Sequence, residues 1–423
     1  MDKSEPIGHY RWIIAGLLFL AATINYIDRQ VLSILAPDLQ RTIGWSEIDY
    51  GNIVFSFQIA YALMLLVSGR IIDLVGTRVG FALAISWWSL ACMGHALAAS
   101  VPSFGMWRFL LGMGEAGNFP ASIKSVAEWF PKRERALVTG IFNSGTNIGA
   151  ILAPIAVPLI ALHWGWQAAF IATGSLGFFW VICWLLVYRP PEGQSHLSAR
   201  ELAYIRSDPS EPEIQISWIP LLQHRQLWAF ALGKFLTDPV WWFYLYWLPK
   251  FLSSVHGIKT IDMMRYLVVV YLIADVGSVA GGWFSSALLK SGWSTNRARK
   301  TVMFLCSALV APVIFASQSQ SPWGAIFLIS LAAAAHQGWS ANLFTLSSDM
   351  FPREAVASVV GIGGFAGALG GMLIAKVTGH ILEWYGTYTP MFVVAGLAYL
   401  VALAAIQGLC PRLEKISSRP SRK

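Results

Sequence analysis

A chain of 423 residues that is 56% hydrophobic and only 12% charged lies far from a soluble domain, where about 25% of residues carry charge. Apolar stretches of about 20 residues recur from end to end, which excludes a soluble globular protein and indicates an all-α polytopic membrane protein. The net charge of +8 does not indicate nucleic-acid binding, because the Lys and Arg residues are sorted by loop rather than gathered in one patch.

Twelve spans are predicted, roughly 12–35, 51–75, 79–99, 102–127, 136–162, 166–188, 226–253, 263–289, 300–317, 322–348, 356–382 and 387–410. With loops assigned to alternating sides, twenty-one of the 30 Lys and Arg residues share the side of the N-terminus and four lie opposite. The rest fall within or at the ends of spans. The positive-inside rule then puts both termini in the cytoplasm. The first span is too long for a signal peptide, contains Asp28 and Arg29, and is followed by no clean cleavage site. Cys92, Cys183, Cys306 and Cys410 stand singly in apolar runs and are read as packing residues.

In chain order, the first span is interrupted by Asn25-Tyr26-Ile27-Asp28-Arg29. An adjacent acid and base at membrane depth are costly and mark either a functional site or a structural ion pair. Tyr61 lies near the middle of the second span and reads equally as packing or as a cavity residue. That span ends in Gly69-Arg70-Ile71-Ile72-Asp73-Leu74-Val75-Gly76-Thr77-Arg78, a tight turn with two glycines. In the fourth span Arg108 and Glu115 are seven residues apart, close to two helical turns, so they share a face. A helix–helix salt bridge or a joint anion and proton site would both use such a pair. The fifth span carries Gly140, Gly145, Gly149 and Pro154, with Asn143, Thr146 and Asn147 between them. The glycines suit close helix packing.

Tyr188 to Leu222 is the one long polar stretch inside the chain. It holds five prolines and a short amphipathic helix, Ser198 to Arg206, opened by a Ser cap. The organisation follows: 1–190 as one six-helix bundle, 191–222 as a cytoplasmic linker and 223–423 as a second six-helix bundle. The seventh span reads Lys234-Phe-Leu-Thr-Asp238-Pro239-Val-Trp241-Trp242-Phe-Tyr244-Leu-Tyr246-Trp247-Leu-Pro249. Lys234 and Asp238 are spaced to pair. Trp and Tyr rings suit the apolar face of a sugar ring, or an interfacial belt.

An internal duplication ties the halves together. Glu128-Trp129-Phe130-Pro131 and Gly140…Gly149 recur as Asp349-Met350-Phe351-Pro352 and Gly361…Gly370, always 221 positions later. Such repeats are expected of two-half transporters. The same offset carries Glu115 onto His336, so His336, with Gln337, Trp339 and Asn342 after it, is expected at a similar membrane depth on the opposing half, facing a central cavity.

On these residues the chain resembles the major facilitator superfamily. Gly-x-x-x-Asp-x-x-Gly-x-Arg over Gly69, Asp73, Gly76 and Arg78 is similar to that superfamily's loop 2–3 signature, with Leu74 where a basic residue is usual. The resemblance implies a gating latch there. The Lys234–Pro249 and His336–Asn342 stretches are similar to bacterial hexuronate transporters of its anion:cation symporter branch. That resemblance implies proton-coupled uptake of a sugar acid in a bacterial inner membrane, by a monomer in the lipid bilayer. It implies no cofactor, no metal and no nucleic acid, with the proton gradient as energy source. It also assigns residues. Arg29 and Tyr61 would bind the substrate carboxylate, Asp28 and Glu115 would take the proton, and Arg108 would partner Glu115. Thr146 or Asn147 would contact the sugar, while Lys234 falls where a related galactonate-type transporter has a neutral polar residue. From their chemistry and the repeat, Lys234, Trp242, Tyr244, His336, Gln337, Trp339 and Asn342 are expected to form the facing wall. The same fold could carry an aldonate, tartrate or an aromatic carboxylate. A membrane-embedded enzyme finds no nucleophile or metal-ligand motif in the sequence, and a sensor would need a signalling domain.

The charge bias generates the first prediction: reporters fused at either terminus, or inserted within 191–222, should all score as cytoplasmic, and one scoring on the opposite face would overturn the assigned topology.

Overall fold

The apolar stretches form long helices, and the interruptions between them are where charge, Gly or Pro accumulates. The computed structural model describes residues 8–207, 218–351 and 353–414, and among these every regular element is helical. The α-helices are α1 (Tyr10–Ile43), α2 (Glu47–Val75), α3 (Thr77–Gly94), α4 (Val101–Glu115), α5 (Asn118–Trp129), α6 (Lys132–Trp164), α7 (Trp166–Val187), α8 (Ala199–Ile205), α9 (Trp218–Leu221), α10 (Arg225–His256), α11 (Met264–Lys290), α12 (Thr295–Val310), α13 (Pro322–Met350), α14 (Arg353–Tyr385) and α15 (Thr389–Leu409). Nine helical stretches among the described residues are long and apolar enough to cross a membrane. Their outward faces carry bare apolar side chains such as Leu186, 76% exposed, and Val279, 75% exposed, a surface suited to lipid and not to water.

One predicted span is not a single helix. The 102–127 stretch breaks at Ala116–Gly117, between α4 and α5. The break lies close against α3: a side chain at Gly114 would meet the Trp88 backbone at 2.8 Å, and one at Gly117 would meet Ala84 at 2.9 Å. The break falls one residue after Glu115, whose carboxylate is thus held at a helix end.

The chain packs as two compact units, one made of Met1–Leu35 and Ala60–Glu213, the other of Ala36–Ile59 and Ile214–Lys423. The later change of unit falls within the polar 191–222 stretch. The adjoining ends of α1 and α2 group with the second unit.

In the first unit α3 packs on α4 and α7, and α6 on α5 and α7. Side chains at Gly145 and Gly149 of α6 would run into the carbonyls of Phe19 and Thr23 on α1, so these glycines set the α1–α6 approach. At the start of α1, Arg11 forms ion pairs with Glu134 on α6 at 3.0 Å and with Glu201 on α8 at 3.1 Å. The short helix predicted after Ser198 is present as α8, and the Ser198 hydroxyl accepts the Glu201 N–H at 3.1 Å, satisfying a first-turn donor.

In the second unit α10 packs on α14 and α15, α11 on α13, and α12 on α13 and α15. A side chain at Gly370 of α14 would meet the Phe235 carbonyl and Pro239, and one at Gly371 would meet the Trp242 ring. The 36–59 segment is fastened within this unit by Tyr50, whose hydroxyl donates to the Tyr246 carbonyl at 2.7 Å, and by a 2.6 Å pair between Lys250 and Glu47.

Gly149 and Gly370 therefore do the same job 221 positions apart, each admitting a carbonyl of a neighbouring helix. Gly140 and Gly361 face open space. Gly149→Leu and Gly370→Leu should each cut the yield of monodisperse protein several-fold, whereas Gly140→Ala and Gly361→Ala should leave it unchanged, as read by fluorescence-detected gel filtration.

Candidate functional site

Successive helix residues point about 100° apart, and α1 uses this to send Asp28 and Arg29 to different neighbours. Arg29 is 2% exposed, and its Nη2 lies 2.7 Å from Glu115 Oε2 at the end of α4. Its Nε donates to the same oxygen at 2.7 Å. The guanidinium lies over two rings, Tyr26 on its own helix and Tyr61 on α2, each 4.9 Å from its carbon to the ring centroid. Nη2 also reaches Asn25 Oδ1 at 3.4 Å. A guanidinium against two aromatic rings, with a carboxylate on its edge, is charge-compensated: the rings stabilise the cation, and a competing anion could take the carboxylate's place.

Arg108 is fully buried one helix face away, and its Nη2 donates to the Arg29 carbonyl at 2.5 Å. It ties α4 to the backbone of α1 at the residue that carries the ion pair. Glu115 forms an ion pair with Arg29, which approaches across the α1–α4 contact, and the charge of Arg108, two turns back along α4, also acts on it.

Asp28 turns away from this cluster. It is fully buried, and its Oδ1 lies 3.4 Å from the Cys92 sulfur on α3, which is itself 3.6 Å from Thr173 Oγ1 on α7. Thr146 is buried on α6, where its hydroxyl donates to the Asn143 carbonyl at 2.7 Å, and Asn147 is half-buried beside it. In the loop 2–3 motif Gly76 adopts a positive φ of 82°, the conformation Gly allows at no cost. Arg78 donates to the Leu185 carbonyl at 2.5 Å and accepts from Trp184 Nε1 through its own carbonyl at 3.0 Å. Gly69 lies against Pro120. The side chain of Asp73 lies outside the described residues.

The second unit has its own buried polar cluster. Lys234 and Asp238 pair at 2.8 Å, one turn apart on α10, and the ammonium sits 4.2 Å from the centroid of the Phe344 ring. His336 of α13 stacks flat on Trp241, with centroids 5.2 Å apart and planes 7° from parallel, and its Nδ1 is 2.6 Å from the Tyr399 hydroxyl on α15. Trp339 meets Tyr399 edge-on at 5.4 Å. Trp242 stacks on Tyr246 at 5.7 Å, Tyr244 is buried, and Gln337 is half-buried. Asn342 donates to the carbonyls of Gly281 at 3.1 Å and Gly338 at 2.9 Å, which ties α13 to α11.

Three residues of these clusters do not stand out in the sequence. Cys92 looks like a packing residue but reaches Asp28. Tyr399, a Tyr inside the very apolar α15, meets His336. Trp241, not its neighbour Trp242, stacks on His336.

The model of the Major Facilitator Superfamily matches residues 18–375. The chain is similar to the hexuronate transporter of Escherichia coli strain K12, 33% identical over 411 residues that cover 94% of this chain and 93% of the relative. It is also similar to the D-galactonate transporter of E. coli O6:H1, 30% identical over 424 residues covering 96% and 97%. Among solved structures, a bacterial homologue of the human lysosomal transporter Spinster, in an inward-facing and occupied conformation, superposes with a TM-score of 0.78 at 20% identity, over 96% of this chain and 98% of that one. The last likeness speaks for the fold alone. The chain belongs to the Major Facilitator Superfamily and is a multi-pass inner-membrane transport protein, not an enzyme.

Proposed function

We propose that this protein imports a sugar-acid anion, a hexuronate, together with protons by alternating access. It would do so as a monomer of twelve crossings in two duplicated six-helix halves, with both termini cytoplasmic, drawing on the proton gradient and needing no cofactor. The observation that carries the reading is the buried Arg29–Glu115 pair with Tyr26 and Tyr61 against the guanidinium. The relatives that carry hexuronate and galactonate support the substrate class.

The mechanism follows from what a buried pair can do. While Glu115 is ionised it occupies Arg29. A proton on Glu115 removes its charge, and the guanidinium, still desolvated, then needs another anion. A sugar carboxylate meets that need with charge-assisted, bidentate hydrogen bonds. Proton and substrate thus favour each other's binding by the same free energy, the reciprocity that coupling requires. Arg108 holds the Arg29 carbonyl in both states and keeps the guanidinium in place. A second reading, an aldonate as substrate, is favoured by the 30% identity to a galactonate transporter over nearly the whole chain. Thermal stabilisation of the purified protein by galacturonate and glucuronate against galactonate decides between the two.

In Glu115→Gln, uptake of the stabilising sugar acid driven by an imposed proton gradient should vanish, while gradient-free counterflow survives. Undiminished gradient-driven uptake would remove Glu115 from the proton pathway. Arg29→Lys keeps the charge but loses the planar fork, and should weaken binding of the sugar acid by roughly tenfold or more in a thermal-shift titration.

A further inference from the structure

Asp28 is a buried carboxylate one residue from Arg29, yet it faces a different part of the bundle. The groups around it can be named helix by helix. From α3 comes Cys92, with His95 just beyond that helix's end; from α7 come Thr173 and the Phe170 carbonyl. From α4 the charges of Glu115 and Arg108 act on the Asp28–Cys92 pair, and Arg29 follows on α1 itself. Trp88 of α3 also faces the carboxylate.

The Cys92 sulfur has three acceptors within reach: Asp28 Oδ1 at 3.4 Å, Thr173 Oγ1 at 3.6 Å and the Phe170 carbonyl at 3.7 Å. A thiol has one proton to donate. While Asp28 is ionised, its charge is the strongest of the three acceptors and takes that proton. Once Asp28 is protonated it becomes a donor itself, and the thiol proton is free to turn to Thr173 or Phe170 on α7. Thr173 Oγ1 already lies 3.5 Å from the Phe170 carbonyl, so the alternative acceptors sit together. His95 holds the Cys92 turn, with Nδ1 at 2.8 Å from the Ala91 carbonyl and 3.2 Å from that of Cys92, and its ring lies flat on Phe170. These contacts hold the backbone turn that carries Cys92 against α7.

We propose that Cys92 is a positioning residue of the proton-coupling machinery: its thiol donates to ionised Asp28 and passes its hydrogen bond to α7 when Asp28 is protonated. The proton state of α1 is thus conveyed to the α3–α7 contact. This rests on the proton-coupled reading of transport given above, with Asp28 as a second protonation site beside Glu115, and adds a residue to it.

The test measures uptake of the stabilising hexuronate into proteoliposomes across external pH for the wild type, Cys92→Ala and Cys92→Ser. Removing the donor destabilises the ionised carboxylate, so Asp28 holds its proton to higher pH, and the midpoint of the uptake profile should rise by about half a pH unit in Cys92→Ala. Cys92→Ser, which restores a donor, should return the profile to the wild-type midpoint. An infrared titration of buried carboxyl groups in the purified proteins should show the same displacement, and does not depend on turnover. A Cys92→Ala profile that superimposes on the wild type, or a Cys92→Ser profile displaced as far as Cys92→Ala, overturns the proposal while leaving proton coupling intact. A wild type whose uptake ignores the proton gradient overturns both.

Discussion

The fully buried pair between Arg29 and Glu115 is the constraint on which the first unit depends. Desolvating two charges costs several kcal/mol each, which the pair offsets only with close geometry and further hydrogen bonds. The structure supplies both: a 2.7 Å contact, two aromatic faces and a side-chain amide on the cation. Removing one partner of such a pair typically costs about 3–5 kcal/mol, because the other charge is left stranded. A well-packed apolar pair of the same volume would be at least as stable.

Around this pair the helices are placed by small residues and backbone contacts more than by apolar bulk. That is the expected economy of a bundle in lipid, where burying a Leu against a neighbour gains little over leaving it in the bilayer. Gly145 and Gly149 bring α6 onto α1, Gly114 and Gly117 bring the α4–α5 break onto α3, and Gly370 and Gly371 bring α14 onto α10. The first of these fixes the helix that carries Asp28 and Arg29, and the second fixes the helix end that carries Glu115. In the second unit the charges of Lys234 and Asp238 compensate each other within one turn of α10, and the neighbouring helix α13 adds only the Phe344 ring against the ammonium.

Much of the architecture was legible because hydropathy and the lipid thickness act residue by residue. The helices, the Ser198 cap and the glycines 221 positions apart all follow from local composition and spacing. Lys234 with Asp238 was legible for the same reason, since i and i+4 on one helix are neighbours by construction. The α4–α5 break was not, because the close approach of α3 to Gly114 and Gly117 is a tertiary contact that the apolar 102–127 stretch does not announce. The grouping of 36–59 with the second unit was not either, since it rests on Tyr50 and Lys250 contacts between residues about 200 positions apart.

The sequence alone determined that this is a helical membrane protein with buried Asp28, Arg29, Arg108 and Glu115, because a charge inside an apolar stretch is visible without any partner. Only the tertiary structure decided who partners whom. That Arg29 reaches Glu115 depends on how closely α1 and α4 approach, and no spacing along the chain reveals that distance. The same holds for Cys92, an ordinary packing residue in the sequence, which becomes a donor to Asp28 because α3 presents it to the side of α1 that Arg29 does not use.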